Sequence, residues 1–156
     1  MTPPRPLEPG DRAPAFSLES DTGKTVALSG LRGTTVVLYF YPRDDTSGCT
    51  TEACEFRDAW AGVKQAGAVV LGVSPDDRAS HRKFRKKLRL PFPLLMDPGH
   101  RVAERYGAWG EKSMYGRKYL GILRTTFVIG RTGRILHVFR NVKPRGHAAQ
   151  VLEALS

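Results

Sequence analysis

Three short apolar runs constrain the fold of this chain more than any other feature of its sequence. They occupy residues 36–41, 69–73 and 126–129, and each is rich in Val, Leu, Ile or aromatic residues. Continuous apolar runs of this length are typical of strands that are buried on both faces of a sheet. Such a sheet needs helices on both sides, so we expect an α/β fold with a central sheet.

Helical patterns lie between and after these runs. Apolar residues recur at spacings of three and four in four segments, and each set predicts one buried helix face. The sets are Ala53, Phe56, Trp60 and Val63; Phe84 and Leu88; Val102 and Tyr106; and Val151, Leu152 and Leu155. Asp97 followed by Pro98 is typical of a helix cap with proline at the first helical position, which predicts a helix start before Val102.

Turn residues predict two further strand pairings. Residues 16–18 and 26–28 alternate on either side of a polar turn at 21–24, which indicates an N-terminal hairpin. Residues 131–134 turn the chain into a last strand over 135–139. This order predicts a thioredoxin-like fold with an N-terminal β-hairpin extension and a central mixed sheet flanked by helices. Residues 1–13 are expected to form an extended arm, and residues 14–156 a single domain of ordinary size.

The charge balance is strongly basic, with 25 Lys and Arg against 15 Asp and Glu and a formal net charge of +10. Six of these cations crowd one segment: Arg82, Lys83, Arg85, Lys86, Lys87 and Arg89. They indicate either a non-specific phosphate-binding face or a solvated helix face. The second interpretation is favoured because no stacking aromatics or nucleic-acid reading motif accompany them, so nucleic acid is not an expected partner.

Only two cysteines are present, and they lie close together at positions 49 and 54. The N-terminus has no apolar segment typical of a signal peptide, and no stretch approaches the roughly 18 apolar residues of a membrane span. We therefore expect a cytoplasmic protein with no membrane partner. In a reducing cytosol a cysteine pair is more often reactive than structural.

Cys49 follows the first apolar run and a loop containing Thr46 and Gly48, which are plausible residues at a helix start. Sites in open α/β sheets form beyond the carboxyl ends of the strands. A cysteine in the first helical turn meets unpaired backbone N–H groups and the positive end of the helix dipole, and both favour the thiolate. Thr46 could donate to that thiolate or hold a substrate, and Pro42 would fix the turn and limit the access of water.

The spacing of the two cysteines excludes a simple structural disulfide if both are helical. Residues five apart on an α-helix have Cα atoms about 8–9 Å apart, whereas a disulfide tolerates roughly 4.4–6.8 Å. Cys49 and Cys54 could therefore bond only after the first helical turns unwind. Two buried, inert thiols are the plain alternative, and a dithiol exchange site is another, although such sites favour two intervening residues. Zinc is not expected, because the four histidines show no ligand spacing with the cysteines.

At these residues the sequence resembles the peroxiredoxins. Pro42, Thr46 and Cys49 match the family's Pro-x-x-x-Thr-x-x-Cys motif, and residues 40–58 resemble the bacterioferritin-comigratory, or Q-type, branch. The likeness continues through residues 106–112 and 121–127. Two positions differ from that branch, since Ser47 replaces a frequent Pro and Gly130 a frequent Asp; neither change removes a reacting group.

The resemblance implies a thiol peroxidase that reduces hydrogen peroxide and organic hydroperoxides without a metal or organic cofactor. It implies that Cys49 is the peroxidatic nucleophile, that Cys54 is the resolving thiol, and that Arg124 stabilises the Cys49 thiolate. Thioredoxin or a similar dithiol would be the reductant, and a monomer is the expected state. A general thiol–disulfide oxidoreductase is the alternative activity, because one fold hosts many chemistries. A thioredoxin-like binding module that has lost catalysis is a third possibility, which the intact set of Thr46, Cys49 and Arg124 disfavours.

Overall fold

A five-stranded mixed sheet forms the centre of the molecule in the computed structural model, which describes residues 5–155. Its strands are β3 (Thr35–Phe40), β4 (Ala68–Ser74), β5 (Leu94–Met96), β8 (Thr125–Ile129) and β9 (Ile135–Phe139). Their order across the sheet is β5-β4-β3-β8-β9. Strands β5, β4 and β3 are parallel, whereas β8 runs antiparallel to β3 and to β9. The predicted thioredoxin-like α/β architecture with a central mixed sheet is confirmed.

Helices and two small hairpins surround this sheet. The helices are α1 (Ser47–Asp58), α2 (Trp60–Gln65), α3 (Arg78–Leu88), α4 (Arg101–Arg105) and α5 (His147–Leu155). The hairpins pair β1 (Ser17–Glu19) with β2 (Thr25–Ala27) and β6 (Trp109–Met114) with β7 (Arg117–Ile122). None of the helices among residues 5–155 is long and apolar enough to cross a membrane.

Strand β3 is buried on both faces, as its continuous apolar run predicts. Val36, Leu38 and Phe40 face a core that includes the N-terminal hairpin and α4. Val37 and Tyr39 face a second core, to which α1, α2, α3 and α5 contribute. Burial of each large side chain stabilises the fold by roughly 1.5–3 kcal/mol, so the two cores together fix the strand whose end carries the loop to α1.

The sequence patterns missed three features. The helix expected through residues 53–63 is two helices, because the chain bends at Ala59 between α1 and α2. Strand β5 has only three residues, too few to show a period. The β6–β7 hairpin is largely exposed, so its side chains alternate weakly; its turn at Tyr115 and Gly116 uses positive φ values of 51° and 79°, the geometry of tight hairpin turns.

The end of the N-terminal arm lies against the sheet. Gly10 N–H donates to the Ile135 carbonyl (2.7 Å), and Ala13 N–H donates to the Gly133 carbonyl (2.9 Å). The Ala13 side chain is buried in the core. Residues 1–4 and 156 lie outside the described residues, and the division into an arm of 1–13 and one domain of 14–156 stays a prediction.

Candidate active site

Cys49 is the third residue of α1, directly beyond the carboxyl end of the central strand β3. Its side chain is buried, with 1% of the residue exposed. Thr46 caps the helix with extended backbone dihedral angles, and its carbonyl accepts the N–H of Thr50 at 2.8 Å. Cys49 therefore occupies the first helical turn, where free backbone N–H groups and the helix dipole favour negative charge.

Arg124 reaches Cys49 from the neighbouring strand. It immediately precedes β8, and the register pairs Phe40 at the end of β3 with Thr125 at the start of β8. This pairing brings the residue before β8 beside the start of α1. One guanidinium nitrogen, Nη2, lies 3.3 Å from Cys49 Sγ, within hydrogen-bond distance of sulfur. Only 15% of the Arg124 side chain is exposed, so solvent screens its charge weakly.

Glu52 is a site residue that the sequence patterns did not single out. It is completely buried, and its Oε1 accepts a hydrogen bond of 2.6 Å from Arg124 Nη1. Its other oxygen, Oε2, is buried without a hydrogen-bond partner. Burial raises the pKa of Glu52 to about 7, although Arg124 opposes the shift. The signal that could have revealed it is its spacing of three from Cys49, which places both residues on one helix face.

The two remaining motif residues lie at the entrance to the site. Pro42 is half-buried just after β3, where its ring fixes the direction of the chain. Thr46 is exposed, and its hydroxyl donates to the Arg43 carbonyl at 3.0 Å rather than to Cys49. Pro42 and Thr46 therefore lie in the loop that leads to Cys49, but in this conformation the Thr46 hydroxyl makes a local turn.

Gly48 and Lys112 complete the surroundings of Cys49. A Cβ atom on Gly48 would come within 3.2 Å of Arg124 Nη2 and 3.3 Å of Pro144 Cγ, so the arginine passes close to the helix backbone here. Lys112 on β6 is half-buried. Burial and the nearby Arg124 lower the pKa of Lys112, while the charge of Cys49 acts in the opposite direction. The β6–β7 hairpin thus brings a second cation towards the thiol.

Cys54 lies half-buried on the same helix, and both cysteines are free thiols. Helix α1 is continuous from Ser47 to Asp58, so both cysteines are helical, as the spacing argument requires. Their Cα atoms are then about 8–9 Å apart by helix geometry, which is too far for a disulfide. Bond formation between them needs the start of α1 to unwind.

Two of the four histidines are completely buried. His147 begins α5, and its Nε2 lies 2.7 Å from Thr126 Oγ1; burial lowers the pKa of His147. His81 on α3 contacts Asp44 in the loop between β3 and α1, with 2.7 Å between Nδ1 and Oδ2. A polar network therefore joins α3 to the loop before α1, and no sequence pattern indicates it because its members are distant along the chain.

Comparison with known proteins agrees with this geometry. Residues 9–138 match the model of the AhpC/TSA family. The chain is 46% identical over 149 residues to peroxiredoxin Bcp of Bacillus subtilis, covering 96% of this chain and 95% of the relative. It is 45% identical over 150 residues to peroxiredoxin Bcp of Escherichia coli, covering 96% of each chain.

Solved structures give the same result. A PrxQ mutant structure from Xylella fastidiosa superposes with a TM-score of 0.91 at 36% identity, covering 97% of each chain. The bacterioferritin comigratory protein of Xanthomonas campestris, studied for its alkyl peroxide reduction activity, superposes with a TM-score of 0.85 at 38% identity. That alignment covers 90% of this chain and 89% of the other. With its cysteine and arginine placed as described, the chain belongs to the AhpC/TSA family and is a peroxiredoxin of the Bcp, or Q-type, group.

Proposed function

We propose that this peroxiredoxin reduces hydrogen peroxide and organic hydroperoxides, with Cys49 as the nucleophile and Cys54 as the resolving thiol. The observation that supports it best is the 3.3 Å contact between Arg124 Nη2 and Cys49 Sγ at the start of α1. A thiolate is the reactive form of cysteine. The guanidinium and the helix N-terminus both stabilise that form, and they do so in a site largely closed to water.

In the first step the Cys49 thiolate attacks one peroxide oxygen and the O–O bond breaks. The sulfur becomes a sulfenic acid, and the other oxygen leaves as water or an alcohol after it takes up one proton. Negative charge moves from sulfur to oxygen during this step. Arg124 and the N–H groups of the first helical turn are placed to stabilise that charge. Thr46 would hold the peroxide after its hydroxyl turns away from Arg43, and Pro42 would keep the turn closed.

In the second step Cys54 attacks the sulfenic sulfur of Cys49, a disulfide forms and water is released. The start of α1 must unwind for the two sulfur atoms to meet. An external dithiol, thioredoxin or a similar protein, then reduces the disulfide by thiol–disulfide exchange and is itself oxidised. The electrons that reduce the peroxide come from the cysteine sulfur atoms and are replaced by the external dithiol, so the proposal includes no metal or organic cofactor. We further propose that the protein works as a monomer in the cytoplasm.

A single-turnover stopped-flow experiment tests the peroxidase. Reduced protein is mixed with a stoichiometric amount of hydrogen peroxide, and tryptophan fluorescence is followed. Trp60 lies on α2, directly after α1, and should report the unwinding. Trp109 stacks on His100 with ring centroids 3.5 Å apart and serves as a second probe. A rapid change that is absent in Cys49→Ser is expected, and a rate equal to that of a free thiol would contradict the proposal.

The role of Cys54 is tested separately with Cys54→Ser. This variant should react with the first equivalent of peroxide at the wild-type rate and then accumulate sulfenic and sulfinic acid, measured by intact mass. If it forms no more over-oxidised product than the wild type, Cys54 is not the resolving thiol.

The alternative, a general thiol–disulfide oxidoreductase, predicts fast insulin reduction and slow peroxide consumption. Both assays on one preparation separate the two activities. A shared fold cannot separate these activities, because the thioredoxin-like fold hosts both of them.

A further inference from the structure

Asp44 is a buried carboxylate at the base of the loop that leads to Cys49. It lies three residues beyond Tyr41 and two before Thr46, and 7% of it is exposed. Its Oδ1 accepts the Tyr41 hydroxyl at 2.6 Å, and its Oδ2 accepts the Ser80 hydroxyl at 2.8 Å. His81 Nδ1 lies 2.7 Å from Oδ2. Three side chains therefore surround one carboxylate, and two of them belong to α3.

The partners of His81 determine its charge. Nε2 lies 2.9 Å from the Leu95 carbonyl of β5, and a carbonyl only accepts. Nδ1 faces the Asp44 carboxylate, which also only accepts when ionised. These two acceptors favour a proton on each ring nitrogen, which is the imidazolium form of His81. Burial acts to lower the pKa of His81, but the hydrogen bond and charge of Asp44 outweigh it and the pKa is raised.

The backbone of Asp44 is fixed as well. Its N–H donates to Asp76 Oδ2 at 2.8 Å, and the same oxygen accepts the Ser74 hydroxyl at 2.7 Å. Ser74 ends β4, so the loop is tied both to the sheet and to the start of α3. Charged groups joined by hydrogen bonds away from water hold their geometry strongly, since separating them leaves an unpaired buried charge.

This anchor lies at the boundary of the segment that must move. Disulfide formation requires the chain between the loop and Cys54 to leave the helix. Asp45, the next residue, has a left-handed φ of 63° and is exposed, as is Thr46. While Asp44 stays in place, unwinding is confined to residues 45–53. If Asp44 is released, the mobile segment lengthens on its N-terminal side and gains conformational freedom.

We propose that the His81–Asp44 pair is a positioning clamp that sets how readily the first turns of α1 unwind, and that the protonation of His81 controls it. The inference rests on the proposed Cys49–Cys54 disulfide, which gives the unwinding a purpose. His81 and Asp44 do not contact the reacting sulfur; they act through the loop that carries it.

The direction of the pH dependence follows from the charge of His81. A raised pKa in the folded protein means that the stabilisation is fully present below the ordinary histidine pKa of about 6.5 and is lost as pH rises through the folded-state value. Opening of α1 should therefore increase with pH, by up to about tenfold per pH unit within that window. The ionisable groups that face His81 are Asp44, Tyr41 and Asp76, and the pKa of Tyr41 is raised well above its ordinary value by burial, so it stays neutral here.

Hydrogen–deuterium exchange of the reduced full-length protein tests the clamp. The Cys54→Ser variant is the parent, so that no disulfide forms. The opening constant is measured from about pH 6 to about pH 9 at the amides of residues 50–53, because the N–H of Thr50 is the first to make a helical hydrogen bond. The ratio of the opening constant of His81→Gln in this parent to that of the parent itself should be above one at low pH and should fall towards one as the pH rises. Comparison with the parent at each pH cancels every other pH effect that the two proteins share. His137→Gln on β9 is the matched control and should retain the parent's pH dependence.

Tyr41→Phe keeps the buried ring and removes one donor to Asp44. It should raise the opening constant of residues 50–53 by about three- to tenfold at every pH without removing the pH dependence, and it remains informative if His81→Gln does not fold. The inference is overturned if His81→Gln keeps the parent's pH dependence, or if Tyr41→Phe leaves opening unchanged. No peroxide is used, so this result is independent of whether Cys49 is a peroxidase.

Discussion

Arg124 and Glu52 form a buried ion pair, with 2.6 Å between Nη1 and Oε1. The same guanidinium donates from Nη2 to Cys49 Sγ. Because the arginine is planar and rigid, a partner on one nitrogen fixes the direction of the other. Glu52 therefore aims Arg124 at the sulfur, and it does so with a carboxylate that is costly to keep ionised in the interior.

Glu52→Gln should raise stability and lower activity at pH 8. The folded-state pKa of Glu52 is about 7, above its ordinary value of 4.5. A carboxyl of this kind contributes stability that is present below about pH 4.5 and lost as pH rises through about 7, by about 3 kcal/mol at most. The variant should not show this loss. Its free energy of unfolding, measured with urea, should therefore fall less between pH 5 and pH 8 than that of the wild type. Peroxide reaction at pH 8 should fall by about three- to tenfold, because Arg124 loses its ionic partner.

Glu55→Gln is the control for this variant. Glu55 is on the same helix, but it is only half-buried, and its Oε1 accepts the N–H of Gly146 at 2.8 Å. Its charge is only the smallest of the causes that shift the pKa of Glu52, so its replacement should change the pH dependence of unfolding far less than Glu52→Gln does. Equal effects of the two substitutions would show that Glu52 has no special relation to Arg124.

Gly48→Ala should lower activity without lowering stability. Alanine in place of glycine in a helix stabilises it by roughly 0.5–1 kcal/mol. However, the new Cβ would lie 3.2 Å from Arg124 Nη2 and must displace the guanidinium by a few tenths of an ångström. We expect the second-order rate constant for peroxide to fall by about tenfold, since small misplacements at a reacting centre are costly. Gly30→Ala, where a Cβ meets nothing within 4 Å, is the control for the rate measurement.

Arg124→Ala should reduce both the thiolate fraction of Cys49 at neutral pH and the rate of peroxide attack, the latter by about 10²–10³-fold. Arg124→Lys keeps a charge but cannot contact Cys49 and Glu52 at once, so an intermediate rate is expected. The thiolate is followed by its ultraviolet absorbance and the rate by stopped flow. Arg117→Ala, an exposed arginine on β7, should change neither. An unaltered titration and rate in Arg124→Ala would remove Arg124 from the proposed mechanism.

The sequence patterns predicted those parts of the fold and site that depend on neighbours along the chain. The buried strands β3, β4 and β8 were visible because each is a continuous apolar run. Cys49 could be placed in the first turn of α1 because the helix-start residues and the strand before it are local. Arg124 is different: its contact with Cys49 depends on the antiparallel register of β3 and β8, and only the family resemblance selected it among many basic residues.

What the patterns missed depends on contacts between distant segments or on weak periodicity. Asp44 and His81 lie 37 residues apart, and neither has a local feature that predicts their pairing. The turn hydrogen bond of Thr46 to Arg43 competes with the expected contact to Cys49, and threonine hydroxyls commonly make such local bonds. The β6–β7 hairpin is exposed on much of its surface, so its sequence has no apolar alternation.

The basic segment gives the last prediction. On α3, His81, Phe84 and Leu88 are buried, whereas Arg82, Lys83, Lys86 and Arg89 line an open groove of about 880 Å³. These four have no ion-pair partner among residues 5–155. Arg78, Arg85 and Lys87 are neutralised by Glu19, Asp21 and Asp45, respectively. We therefore expect the unpaired cations to form a solvated helix face that attracts phosphates only through charge.

Retention of duplex DNA by the reduced protein should therefore be weak and independent of sequence. With about four phosphate contacts, the logarithm of the binding constant should fall with the logarithm of salt concentration with a slope of about −3 to −4, a loss of roughly a hundredfold between 50 and 200 mM salt. Fluorescence anisotropy with labelled DNA measures this. Arg82→Glu combined with Lys86→Glu should make the slope less negative. Arg117→Glu combined with Lys118→Glu on the exposed β7 should change the slope less. Tight, sequence-dependent binding at physiological salt would instead show that α3 is a nucleic-acid site, because charge alone gives no preference between sequences.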